Sequence, residues 1–158
     1  MKQEFVDLGL PSGILWSKRN VKLANKKHFT HYEIPLIEYI TGYNVPSKED
    51  FEELIKLCKW EWKTIGRTIG YKVTGPNGKS IFLSPAGYHY STSLLCVGYF
   101  GYYWSTTYYG SSNACGLRFG SSSSNSAYFL RIHNSSKIVS YDYRDCSLSI
   151  RLIKRKRI

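Results

Sequence analysis

Two near-copies of one alternating pattern constrain this chain more than anything else in it. The first is Ala114-Cys115-Gly116-Leu117-Arg118-Phe119-Gly120-Ser121-Ser122-Ser123, and the second is Ala127-Tyr128-Phe129-Leu130-Arg131-Ile132-His133-Asn134-Ser135-Ser136. Side chains along a strand alternate between its two faces. Leu117 and Phe119 therefore share a face, as do Leu130 and Ile132, and that face is expected to pack. Gly116, Arg118, Gly120 and Phe129, Arg131, His133 fall on the other. That second face carries an assorted set of side chains and is expected to be displayed as a binding surface.

The segment around these copies, from Gly101 to Leu152, is rich in Ser and Tyr, and the whole chain holds 14 Tyr. Tyrosine suits half-buried strands and recognition surfaces, because it offers wide contact with few rotors to freeze. The net charge of +11 is carried by one part of the chain. Residues 1–61 hold nine Lys/Arg and nine Asp/Glu, whereas residues 62–158 hold thirteen Lys/Arg against only Asp142 and Asp145. A basic half attracts anionic partners, nucleic acid among them, but no nucleic-acid recognition motif accompanies it. Lys154-Arg155-Lys156-Arg157 reads as a basic tail, so a single domain over 1–153 with a tail at 154–158 is expected.

Taken in order, Phe5–Leu10 and Ile14–Ser17 read as two short strands about the turn Pro11-Ser12-Gly13. Ile34, Ile37 and Ile40 fall at three-residue intervals, which predicts a helix with Pro35 in its first turn. Ser47 and Asp50 predict the start of a second helix, whose apolar stripe is Phe51, Leu54, Ile55 and Cys58. Tyr71–Thr74 and Ser80–Leu83 flank an Asn77-Gly78 turn and predict a hairpin. Early helices and many late strands give an α+β layout with antiparallel sheet, in which the terminal strands can pair.

Val6-Asp7-Leu8-Gly9-Leu10-Pro11-Ser12-Gly13, Val45–Leu54, Gly70–Gly78, Gly101-Tyr102-Tyr103-Trp104-Ser105 and Ser149-Ile150-Arg151-Leu152 together resemble the Fibrobacter-succinogenes-major-paralogous-domain family. The likeness covers nearly the whole chain except Val21–Tyr43. Members of that family are similar to the C-type lectin fold and to formylglycine-generating enzymes, so the resemblance implies a C-type lectin-like fold. Some members are variable proteins of diversity-generating retroelements. There, adenine-directed rewriting of AAY codons leaves NNY codons, which encode no Glu, Gln, Lys, Met or Trp. From Ser105 to Ile150 this chain has no Glu, Gln, Met or Trp and a single Lys, Lys137. A Ser/Gly/Tyr-rich sheet that avoids long polar side chains would look the same.

Catalytic constellations are few. The oxidase likeness requires a reactive cysteine pair, and only Cys115 and Cys146 lie in the right region. None of the four cysteines is spaced for zinc, and Cys58 reads as a packed thiol. A calcium lectin requires clustered carboxylates, which Asp142 and Asp145 alone do not provide. His28, His31, His89 and His133 are scattered and read as surface residues, and Trp16, Trp60, Trp62 and Trp104 as core. Tyr128, Leu148 and Ile150 also read as core. No cofactor is expected, and calcium-independent binding of a protein or surface ligand is.

The ligand surface is placed on Gly116, Arg118, Gly120, Phe129, Arg131, His133, Val139, Tyr141, Asp142, Tyr143, Asp145, Cys146 and Ser147, with Tyr141, Tyr143, Arg131 and His133 forming one patch. The expected role is a non-enzymatic receptor or adhesin, with an oxidase and a nucleic-acid binder as alternatives. Met1–Asp7 lacks the apolar run of a secretory leader, and no stretch is long enough to span a bilayer. Synthesis as a soluble cytoplasmic chain is therefore expected, with a virion or cell surface as a destination.

Overall fold

The two ends of the chain meet in one sheet, as the terminal patterns predict. The computed structural model describes residues 3–109 and 125–155. β1 (Phe5–Asp7) runs antiparallel to β2 (Leu15–Asn20), and β2 also pairs with β11 (Arg151–Lys154), giving the order β1-β2-β11. Val6 and Ile153 both oppose Trp16, and all three are buried. The expected tail is tethered at its start: Lys154 closes β11, and Arg155 Nη2 donates to Asp50 Oδ2 at 2.9 Å.

A 3-10 turn, His31–Glu33, leads into α1 (Ile34–Thr41). Pro35 occupies its first turn, where a missing N–H costs nothing, and Gly42 ends it in the left-handed region at φ 76°. Ile34 and Ile37 are buried, but Ile40 faces outward. α2 (Lys48–Leu57) begins with the expected reciprocal cap: Asp50 N–H donates to Ser47 Oγ at 3.1 Å, and Ser47 N–H to Asp50 Oδ2 at 2.8 Å. Phe51 and Leu54 are fully buried, while Ile55 and Cys58 are half-buried at the edge of the stripe. No helix among the described residues is long and apolar enough to cross a membrane.

β3 (Lys59–Ile65), β4 (Thr68–Thr74) and β5 (Ser80–Leu83) form a second sheet in that order. The β4–β5 register, Thr74 opposite Ser80 and Val73 opposite Ile81, is the predicted hairpin. Its turn is locked onto the first sheet: Asn77 Nδ2 donates to Asp7 O at 2.7 Å, and Gly75 lies so close to Leu8 that a Cβ there would collide with the Leu8 carbonyl. A further hairpin follows, β6 (Tyr88–Tyr90) with β7 (Ser93–Leu95), which the sequence patterns do not predict.

The third three-stranded sheet carries the second of the two sequence copies. β9 (Ser126–His133) lies between β8 (Gly101–Tyr108) and β10 (Ser136–Tyr143). Both faces of β9 are packed. Leu130 and Ile132 join Tyr103, Trp16, Phe51 and Leu83 in one core, while Ala127 and Phe129 join Trp104, Phe29, Cys146, Leu148 and Ile150 in a second. Phe129 is therefore buried, not displayed, and Cys146 is buried beside it. Tyr102 and Trp104 meet the Phe129 ring edge-on. A strand covered on both faces reads as a continuous apolar run rather than as an alternation. Ala127-Tyr128-Phe129-Leu130 is such a run.

Of the four Trp, Trp16 and Trp104 are wholly buried, while Trp60 and Trp62 pack against the first core with part of their surface exposed. Two of the expected surface histidines are buried instead, His28 and His31.

Candidate ligand-binding surface

The turn Asn134-Ser135 sets the geometry of the expected surface. It pairs His133 with Ser136, and hence Arg131 with Ile138, Phe129 with Ser140 and Tyr128 with Tyr141. Residues opposite one another in an antiparallel pair share a face. Odd-numbered residues of β9 therefore share a face with even-numbered residues of β10. Val139, Tyr141 and Tyr143 stand on the face of Tyr128 and Leu130, whereas Phe129, Arg131 and His133 stand on the other. The patch expected from Tyr141, Tyr143, Arg131 and His133 is split between the two faces by this register.

The remaining expected residues scatter in the same way. Arg131 is half-buried, and its Nε is buried without a hydrogen-bond partner. His133 is half-buried, its ring 5.0 Å from that of Phe100. Val139 packs against the first core. Asp142 is exposed and accepts the Tyr143 N–H at 2.7 Å, and Asp145 is also exposed. The Cys146 thiol is held up at about 11 by burial and then by Asp142 and Asp145. Ser147 lies away from the tyrosines, bridged to His89 by two backbone hydrogen bonds. Gly116, Arg118, Gly120 and Cys115 lie outside the described residues.

What the fold does bring together is one end of the third sheet, where β8 stops, β9 starts and β10 stops. Tyr109 N–H donates to Ser126 O, Arg144 N–H to Asn125 O, and His31 N–H to Arg144 O. Around these links stand Tyr32, Tyr108, Tyr109, Tyr128, Tyr141 and Tyr143. Tyr143 is 62% exposed, Tyr32 52% and Tyr141 49%, so their rings face solvent. Tyr109 and Tyr141 stack at 3.6 Å between centroids and 18° between planes, and Tyr128 meets both edge-on. Lys48 Nζ sits 4.5 Å above the Tyr128 ring. Tyr128, expected in the core, is thus a half-buried member of this group.

Arg144 is a second cation at this end. Its guanidinium lies between the rings of Tyr32, at 3.9 Å, and Tyr108, at 4.6 Å. Such stacking on aromatic faces suits the planar guanidinium. Nε donates to His31 Nδ1 at 2.9 Å, and Nη2 to the Tyr108 hydroxyl at 3.3 Å. His31 Nε2 in turn donates to Ser105 O at 2.8 Å, so the ring is neutral with its proton on Nε2. Burial, then the Arg144 charge, lowers the His31 pKa to about 4 against the pull of Ser105. This support is rigid, because Trp104 packs on His31 and donates its own Nε1–H to Phe29 O at 2.8 Å.

Tyr32, Tyr108 and Tyr109 were not among the expected site residues. The paired Tyr108-Tyr109 just before the Gly/Ser stretch was the available signal. Nothing in the sequence linked Tyr32 to it, since that contact is made through His31 and Arg144, more than a hundred positions apart. Among the described residues, no group of three or more His, Cys, Asp or Glu is placed to hold a metal ion. Compared with protein-family models, with curated proteins and with solved structures, the chain matches none.

Proposed function

We propose that this chain is a non-enzymatic recognition protein, receptor- or adhesin-like, that binds a protein or surface ligand through its tyrosine-lined end. The observation that carries the reading is the set of exposed tyrosines at this end: Arg144 lies between Tyr32 and Tyr108, while Tyr143 and Tyr141, stacked on Tyr109, stand on the other face of the sheet. Tyr and Arg are the residues that most often dominate binding energy, and both are held here by a rigid layer beneath. The site proposed is thus the β8–β9–β10 end, in place of the mixed set expected from alternation.

The fold proposed is C-type lectin-like, and the diversification proposed is by a retroelement acting on the Ser105–Ile150 region. The codon-compatible composition of that region supports it. An oxidase reading has less support, because a buried Cys146 thiol held up near 11 is a poor nucleophile. A nucleic-acid reading rests on charge alone and would show affinity falling steeply with salt.

Peptides and glycans selected for binding to the folded chain test the site. Their affinity is expected to fall about tenfold or more in Tyr143→Ala and in Tyr141→Ala. Ligands that bind both variants as well as the parent would refute the placement. The genomic neighbourhood tests diversification: a reverse transcriptase and a near-copy of the 3′ coding region, differing at adenines, are expected. A neighbourhood without them refutes that part.

A further inference from the structure

A second hollow lies apart from the tyrosines, between residues 25–28 and the β6–β7 hairpin. It encloses about 570 Å³ and is lined by Lys26, Lys27, His28, His89, Ser91 and Ser147, among others. An adjoining hollow of about 380 Å³ shares Lys27 and His28 and adds Lys22 and Asn20. Volumes of this size suit small ligands. Among the described residues no carboxylate lines either hollow. Glu33 pairs with Lys26 at 2.7 Å, but Lys22 and Lys27 have no ion-pair partner among the described residues. Reciprocal bonds between Leu23 and Lys26, at 3.0 and 2.9 Å, fix the turn that carries these lysines.

At the centre His28 Nδ1 and His89 Nδ1 lie 2.9 Å apart. Two imidazole nitrogens at that distance share one proton between them. His28 Nε2 faces Ala86 O at 3.0 Å, and a carbonyl only accepts, so His28 carries its proton there. His28 Nδ1 is then the acceptor and His89 Nδ1–H the donor. Burial, and then the neighbouring His89, lower the proton affinity of His28. The remaining ring nitrogen, His89 Nε2, has no partner among the described residues.

We propose that this cleft binds a small tetrahedral oxyanion, a phosphate or sulfate group, held by Lys27 and the Ser91 and Ser147 hydroxyls beside the His89 ring. The charged groups around the cleft are Lys22, Lys26, Lys27 and Glu33 on the lysine side, and Asp145, two residues before Ser147, on the other. This site stands on its own residues and does not depend on the tyrosine end.

The test is titration of the intact protein with sodium sulfate, and separately with sodium phosphate, at constant ionic strength. The His89 ring C–H signals are followed by NMR. Saturable shifts are expected with at least one of the two anions. Lys27→Ala, at an exposed position, should weaken binding several-fold while the remaining spectrum keeps its dispersion. The anion that binds more tightly names the group. Shifts that rise linearly with either salt, or that are the same in Lys27→Ala, mean general screening and overturn the proposal.

Discussion

Replacing Arg151 is expected to be among the most damaging single changes in this protein. Arg151 is 2% exposed and joins three strands. Nε donates to Asn20 Oδ1 at 2.9 Å, Nη1 to Ser17 O at 3.0 Å and Nη2 to Phe82 O at 2.8 Å. Two of these acceptors belong to β2 and one to β5, so the guanidinium ties the first sheet to the second. All three acceptors are neutral. Hydrogen bonds from a charged donor contribute about 1.5 kcal/mol or more each, which gives about 4–5 kcal/mol for three. Removing the cation returns part of this, because the variant no longer desolvates a charge on folding. Arg151→Met, which keeps the apolar stem, is expected to lose about 3 kcal/mol, a large share of the 5–15 kcal/mol typical of a domain. Arg151→Ala adds a cavity and loses more. Urea unfolding followed by the fluorescence of buried Trp16 and Trp104 measures the difference. A Met variant as stable as the parent would refute the reasoning. It would mean that desolvation of the cation cancels its hydrogen bonds.

Stability should also depend on pH through His31. Its folded pKa of about 4 lies below the ordinary value of 6.5, so the unfolded chain binds more protons between them. The stabilisation is therefore complete above about pH 6.5 and lost as pH falls toward 4, by about 3 kcal/mol, with His28 acting in the same direction. Urea midpoints across that range should fall, and a flat profile would contradict the buried neutral ring. Gly75→Ala should cost about 1–3 kcal/mol, read as a lower Tm, because its Cβ meets the Leu8 carbonyl. Tyr143→Ala should leave Tm unchanged, within about 0.5 kcal/mol of stability, even where it removes binding. A large drop in Tm would place Tyr143 in the fold rather than at its surface.

Local patterns proved reliable wherever a few neighbouring residues settle the matter. The Ser47/Asp50 cap, the Phe51–Leu54 stripe and the Asn77-Gly78 turn are all legible in short stretches, because turn and cap chemistry acts over a few bonds. Alternation identified β9 as a strand, and it separated Leu130 and Ile132 from Phe129 and Arg131 correctly. It did not reveal what lay on the second side. Phe129 looked displayed because an odd position says nothing about whether another layer covers it. Here Trp104, Leu148 and Ile150 do.

The sequence by itself determined the two helices, the Asn77-Gly78 hairpin and which side chains of β9 share a strand face. Only the tertiary structure decided which faces meet water and which residues share a site. One two-residue turn sets the parity that puts Tyr141 and Arg131 on opposite sides of the sheet. Contacts between distant segments bring Tyr32, Tyr108 and Arg144 together, and His28 to His89. Side-chain direction is set residue by residue along the backbone, whereas burial depends on what the rest of the chain places opposite.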